Sequence, residues 1–463
     1  MPAFTVEDIV RGTRGALLSG DLGIAVSGMS IDSRTLNVGE AFFAIRGERL
    51  DGHGFLRDAV GRGAGCLVVD TVPDELPAGV PLVLVDNTTV SLGRLGAWHR
   101  ARFTIPVAAV TGSNGKTTTK ELMAGVLGAL GPVLKPESSF NNQWGLPLTL
   151  LKLTAEHRAA ALELGTNKPG EIAALASLAR PTVAAVTTVS SAHTEFLGSL
   201  DGIQEEKAAL VRAIGPDGAV VLNADDPRVL AMRASSRARV WTYSAHGPAD
   251  VRAAGAVDER PGGLAFTLET PAGRQPVQLA FAGRHNVTNA LAAAGVGVAL
   301  GLGIAEIARG LAAARPAKGR CVWRSAGSLA ILDDTYNANP VSVHAALQTL
   351  ATSAGARRRV VVLGDMLELG SITDGAHREM GAAVAASGAA EFVGLGKACR
   401  VAVDAAREAG LAESHHAATF EDTVAHLLKR LSPGDAVLVK GSRGMRMERV
   451  VDALIARFGG ENA

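Results

Sequence analysis

At 463 residues, 47% apolar and 20% charged, the chain has the make-up of a globular protein with ample core, and its length suggests two to four domains of roughly 150 residues. Its 46 basic and 45 acidic residues leave a formal charge of +1, which excludes a global field that would recruit nucleic acid or an anionic membrane; any anion site has to be local. The 3 cysteines (Cys66, Cys321 and Cys399) are odd in number and far apart, so a reducing, cytoplasmic setting is expected rather than a disulfide framework or a zinc site.

In chain order, MPAFTVEDIV shows no basic segment followed by an apolar one, so no signal peptide is expected. Thr5-Val6-Glu7-Asp8 reads as a capping-box helix start. The apolar runs AFFAIRG, GCLVVD and PLVLVD, separated by Gly-rich turns, predict a small α/β domain ending near Asp86–Thr89. PVAAV, AALELG, TVAAVTTV and AVVLNADD alternate with helical patterns, which predicts βαβ units and a parallel sheet. From Val251 to His285 the composition turns to Gly, Pro and alternating residues, predicting a β-hairpin insert. The uncharged stretch Asn286–Ala305 is rich in Ala and Gly with charges beyond both ends, and reads as a buried helix rather than a membrane span. From about Arg320, LAILDD, RRVVVLGD, AEFVGLG and DAVLVKGS predict a doubly wound, Rossmann-like domain. It lacks the Gly-x-Gly-x-x-Gly fingerprint, so a nicotinamide cofactor is not expected. The expected division is therefore α/β throughout, with domains at 1–88, 89–317 and 318–463.

The chemistry gathers at VTGSNGKTTTK, residues 110–120. An apolar strand, then Gly112-Ser113-Asn114-Gly115-Lys116-Thr117, then a helix striped by Leu122, Met123, Val126, Leu127 and Leu130, places freed backbone N–H groups at a positive helix terminus. Lys116 would reach the β/γ-phosphates of a nucleotide and the Thr117 hydroxyl would ligate Mg²⁺. The spacing departs from the standard Walker loop, which wants glycine where Val110 stands. Glu163, ending the strand in ALELGTN, would present a carboxylate at the carboxyl edge of the sheet. His193 and Lys207 read individually as a packing or capping histidine and a solvated helix lysine. They gain meaning from the order loop, Glu, His, Lys.

That order, with its flanks, resembles the Mur ligase family of ATP-dependent amide-forming enzymes, whose phosphate loop is similarly shortened. SFNNQWGLP, LGTNKPGEI, GRHNVTNALAA, DDTYNANP and LVKGSRG are similar to segments of that family along nearly the whole chain. SIDSRTLNVGEAFFAIRGERLDGHGF resembles the uridine-nucleotide domain of the ligases adding the third residue and the final dipeptide. DTYNANP together with GDMLELG and KGSRGMRME most resembles the member that joins D-alanyl-D-alanine to UDP-N-acetylmuramoyl-tripeptide.

The resemblance implies an N-terminal uridine-nucleotide domain, a central P-loop ATPase-type domain and a C-terminal Rossmann-like domain. ATP and two Mg²⁺ ions, the UDP-linked tripeptide and D-alanyl-D-alanine would be bound by a cytoplasmic monomer. Thr111 and Gly112–Thr117 would cradle phosphate. Thr117, Glu163, His193 and a carbamylated Lys207 would hold metal. Asn286 and Asn289 would meet adenine, and Arg320 the γ-phosphate. Asp334 would contact ribose or close the site, with Tyr336, Asn337 and Asn339 facing nucleotide or dipeptide. Lys440 and Arg443 would orient the dipeptide carboxylate, Asn141 and Asn142 the precursor's peptide or sugar end, and Ser33 and Arg34 its uracil or diphosphate. Arg320 and the Asp334 loop could act only if the third domain closes in. The open alternatives are a Mur-type ligase adding one amino acid, a folylpolyglutamate synthase, a P-loop kinase or switch, and a non-catalytic UDP-sugar-binding protein.

Overall fold

The structure is a computed structural model that describes residues 4–75, 79–137, 140–190, 197–260, 262–353 and 355–459. Its larger sheets have 5, 9 and 6 strands and follow one another along the chain.

The first helix, Val6–Thr13, starts on a reciprocal cap in which the Thr5 hydroxyl accepts from Asp8 N–H and the Asp8 carboxylate accepts from Thr5 N–H. The five-stranded sheet runs Ala16–Ser19, Leu82–Leu84, Cys66–Val69, Ala41–Phe43, Met29–Ser30; only its first pair is antiparallel.

In the central sheet the parallel strands lie in the order Arg239–Ser244, Ala219–Asn223, Val183–Val186, Val107–Thr111, Ala159–Glu163, Val133–Leu134. The four inner strands, Ala219–Asn223, Val183–Val186, Val107–Thr111 and Ala159–Glu163, are buried along their whole length and are dominated by Val, Ala and Leu, as a helix-covered parallel sheet requires. The helices Lys116–Leu127 and His285–Ala299 share one core cluster, and Glu171–Ala179 and Leu200–Arg212 share the opposite one. The expected hairpin is present as Gly263–Thr270 and Gly273–Leu279, and a further strand, Val251–Arg260, pairs antiparallel with it and joins it to this sheet. The strand Gly273–Leu279 carries Pro276, which lacks a backbone donor and is tolerated because the strand is the sheet edge.

The C-terminal sheet orders Val322–Ala326, Leu329–Asp334, Ala436–Lys440, Arg359–Gly364, Glu391–Leu395, Ser414–Ala417, parallel except for its first pair. Among the described residues no helix is long and apolar enough to cross a membrane. All 3 cysteines are free and buried, and burial pushes the Cys66 thiol up to about 12.

Candidate active site

A cleft of about 1370 Å³ is lined by all three segments: Gly47–Leu50 from the first, Ser113–Thr118, Glu163 and Asn286 from the second, and Arg320, Tyr336 and Arg443 from the third. It opens at the carboxyl ends of the central strands, where Val107–Thr111 pairs with Val183–Val186 on one side and Ala159–Glu163 on the other.

The phosphate loop is built on two left-handed glycines. Gly112 (φ 150°) and Gly115 (φ 82°) also leave no room for a Cβ: one at Gly112 would stand 1.8 Å from Thr187 Oγ1, and one at Gly115 2.2 Å from Asn289 Oδ1. Gly115 immediately precedes the helix Lys116–Leu127, whose N-terminal N–H groups face the cleft. Lys116 Nζ donates to Gly112 O at 2.8 Å, folding the ammonium over the loop. Burial holds that ammonium below the ordinary lysine range; Glu163 opposes the shift and Arg320 reinforces it.

Glu163 is 1% exposed at its strand end. Its Oε2 accepts from the Thr117 hydroxyl at 2.9 Å and its Oε1 from Asn141 Nδ2 at 2.7 Å. Thr117 Oγ1 in turn accepts from Arg320 Nη2 at 3.0 Å, so a cation of the third segment already rests on the loop. Arg320 lies 3.9 Å over the Tyr336 ring, and its buried Nε has no hydrogen-bond partner among the described residues. Asn339 Nδ2 donates to Asn114 Oδ1 at 2.7 Å.

Lys207, on the helix Leu200–Arg212, is 2% exposed, and burial together with the Lys116 charge pushes its ammonium down to about 7. The solvated helix reading therefore fails for it. The adjacent Glu206 accepts from Gly170 N–H and Ile172 N–H at 2.7 Å, binding this helix to the start of the preceding helix Glu171–Ala179. His193 lies outside the described residues.

Other expected site residues have different partners. The Thr111 hydroxyl donates to Leu164 O and is buried away from the cleft. Asn286 and Asn289 line the cleft, but Asn289 Nδ2 donates to Asn286 Oδ1 (2.8 Å) and Asn289 Oδ1 accepts from the Thr119 hydroxyl, so their amides mainly brace each other and the loop. Asn142 Oδ1 accepts from the backbone N–H groups of Trp144 and Gly145 and shapes that turn. Lys440, 2% exposed, donates to Asp334 Oδ2 (2.6 Å) and Asn337 O (2.7 Å), so its charge shapes the Asp334–Asn339 loop instead of standing open to a carboxylate. Arg443 does face the cleft, 5.7 Å from the Tyr336 ring and paired with Glu448. Ser33 and Arg34 are not brought to the cleft wall: Ser33 is buried and Arg34 pairs with Asp32.

Some cleft residues went unassigned by motif. Gly47–Leu50, in AFFAIRGERL, and Leu367–Leu369, in GDMLELG, are brought to the cleft wall only by the folded chain. His285 adjoins Asn286, and burial holds its imidazole toward the neutral form. Glu163 and Thr117 are hard oxygen donors in hydrogen-bond contact beside the loop, a donor set that suits Mg²⁺.

Comparison with known proteins agrees with this arrangement. Three family models match: the Mur ligase family catalytic domain over residues 25–97, the Mur ligase middle domain over 110–297 and the Mur ligase glutamate ligase domain over 319–443. The UDP-N-acetylmuramoyl-tripeptide–D-alanyl-D-alanine ligase of Escherichia coli is 37% identical over 98% of this chain and 99% of its own. The enzyme of the same name from Bacillus subtilis is 32% identical over 97% and 98%. A crystal structure of MurF from Acinetobacter baumannii superposes with a TM-score of 0.88 at 32% identity, covering 98% of this chain and 99% of that one. MurF ligase from Thermotoga maritima in complex with ADP gives 0.79 at 26%, covering 94% and 98%. The chain belongs to the Mur ligase family.

Proposed function

We propose that this protein is the ATP-dependent ligase that joins D-alanyl-D-alanine to UDP-N-acetylmuramoyl-tripeptide, completing the pentapeptide precursor of peptidoglycan in the cytoplasm. The observation that carries the reading is the convergence of Thr117, Glu163 and Arg320 over one phosphate loop, supplied by two of the three domains. The full-length relatives with that activity in their names select the substrates. The domain division is taken at 88 and 317.

A carboxylate is a poor electrophile in water. The tripeptide's terminal carboxylate is first phosphorylated by ATP, and the dipeptide amine then displaces phosphate from the acyl phosphate. Backbone N–H groups of Gly112–Thr117 and the Lys116 ammonium stabilise charge on the transferring phosphoryl group, and Arg320, with its open Nε, supports it from the other side. Thr117, Glu163 and Lys207 would hold Mg²⁺, with His193 carried over from the family. When bound, the metal neutralises phosphate and carboxylate charge. An ammonium would repel such a cation, so Lys207 serves as its carbamate: the neutral amine adds to CO₂ and releases one proton. A lysine held near 7 has that amine available at neutral pH. Asn141 positions Glu163, and Arg443 faces the dipeptide. The chain is taken to act as a monomer.

The test incubates the protein with ATP, D-alanyl-D-alanine and precursors ending in diaminopimelate or lysine, and reads the product by mass spectrometry. A pentapeptide product is expected. Ligation of a single amino acid in its place would reassign the enzyme within the family.

A further inference from the structure

In the loop after the strand Arg359–Gly364, Glu368 has φ 64°, a left-handed conformation that side chains other than Gly, Asn or Asp rarely adopt. Such strain persists only where surroundings over-determine it, and it concentrates where a side chain is put to use. The surroundings here are explicit. Ser442 N–H donates to Asp365 O (3.1 Å), and Leu367 N–H donates to Ser442 Oγ (2.8 Å). Met366 N–H donates to His377 Nε2 (3.1 Å), and Cys399 N–H donates to Asp365 Oδ1 (2.8 Å).

Asp365, His377 and Cys399 bring ligand atoms within 4.8 Å of one another and could be mistaken for a metal site. Both ring nitrogens of His377 are already engaged, Nε2 by Met366 N–H and Nδ1 at 2.7 Å from Thr373 O. The buried cluster is a brace, and what it braces is the loop that lines the cleft with Leu367 and Glu368.

The neighbouring wall adds the complement. A Cβ on Gly444 would stand 2.9 Å from Leu367 Cδ1, so the Glu368 loop packs directly on the turn that carries Arg443. One wall thus carries the Glu368 carboxylate, apolar surface at Leu367 and Ala338, and the Arg443 guanidinium, which also pairs with Glu448. A zwitterionic dipeptide of two small apolar residues has the same pattern, with its charged ends about 7 Å apart when extended. Its α-ammonium is largely charged at neutral pH and needs an anionic partner once water is excluded.

We propose that Glu368 is the residue that receives the α-ammonium of the incoming dipeptide and aims its nitrogen at the activated carboxylate. This rests on the ligase reading above. The experiment keeps the two apart by measuring acyl-phosphate formation, trapped as hydroxamate from tripeptide precursor and ATP without dipeptide, beside the dipeptide dependence of ligation. Glu368→Gln should leave hydroxamate yield unchanged and raise the KM for D-alanyl-D-alanine roughly ten- to a hundredfold, the size of one lost charge-assisted hydrogen bond. Glu368→Gly, which relieves the left-handed strain, should raise the Tm while weakening dipeptide use to a similar degree. An unchanged dipeptide KM in both variants overturns the assignment and leaves the ligase intact. No hydroxamate from the unmodified protein would remove the ligase reading and this inference with it.

Discussion

Asn339 donates a 2.7 Å hydrogen bond from Nδ2 to Asn114 Oδ1, fastening the start of a C-terminal helix to the phosphate loop. Asn339 also caps that helix, its Oδ1 accepting from Ser342 N–H. Asn339→Asp keeps a capping oxygen but replaces the donor with a second acceptor facing Asn114. One lost hydrogen bond, worth about 1 kcal/mol, should reduce the closed-to-open ratio roughly fivefold. Small-angle scattering of the free protein should report a larger radius of gyration, with Tm within a degree or two of the parent. An unchanged profile would mean that Arg320 and the interdomain packing hold the closed state alone.

Glu163 accepts two hydrogen bonds, a buried one from the Thr117 hydroxyl and a partly buried one from Asn141. Glu163→Gln retains the volume but removes the charge that would complement Mg²⁺ and oppose Lys116. Acyl-phosphate formation should fall at least about a hundredfold, the usual cost of losing one preorganised group at a site of charge development. Initial rates of hydroxamate release measure it. A loss under threefold would exclude Glu163 from the metal and phosphate chemistry.

Residues whose chemistry follows from neighbours in sequence were legible before folding. Gly115, Lys116 and Thr117 lie where a strand meets a helix, and Glu163 ends an apolar run, so pattern alone located them. Lys440 and Asp334 are 106 positions apart, and nothing local reveals that they neutralise each other. Asn289 lines the cleft as pattern suggests, but nothing local reveals that its carbonyl also packs against Gly115, 174 positions earlier. The strand that pattern does not reveal is Val251–Arg260, whose Ala, Gly, Asp, Glu and Arg content gives it little β propensity of its own. Backbone strain such as that at Glu368 leaves no trace in composition.

The Gly115 site supplies a further test. Gly115→Ala would pay for φ 82° with about 1 kcal/mol of left-handed strain and would drive a methyl into Asn289 Oδ1. The two together should lower stability by about 2 kcal/mol and weaken nucleotide binding at least tenfold. Calorimetric titration with ADP reads the second effect. The double variant Gly115→Ala, Asn289→Ala should regain part of the stability, because the clash partner is gone. Equal instability of the single and double variants would show that backbone strain, not the Asn289 contact, dictates glycine here.

Lys207 gives a pH dependence with a definite sign. Its folded-state ammonium titrates near 7, against 10.5 for an ordinary lysine, because burial and the Lys116 charge disfavour the protonated form. Between those values the unfolded chain binds a proton that the folded chain does not. Stability must therefore rise with pH across this window, while below about 7 both states are protonated and the cost of burying the charge is fully present. Lys207→Met keeps the apolar stem and removes the titration. Urea denaturation of metal-free protein in CO₂-free buffer at pH 7.5 and 9.5 should show the parent gaining stability relative to the variant by about 1.4 kcal/mol per pH unit. Parallel pH profiles would mean that Lys207 stays protonated in the folded protein. The neutral amine that carbamylation needs would then be absent at neutral pH, and the site would have to hold its metal without a lysine-derived oxygen.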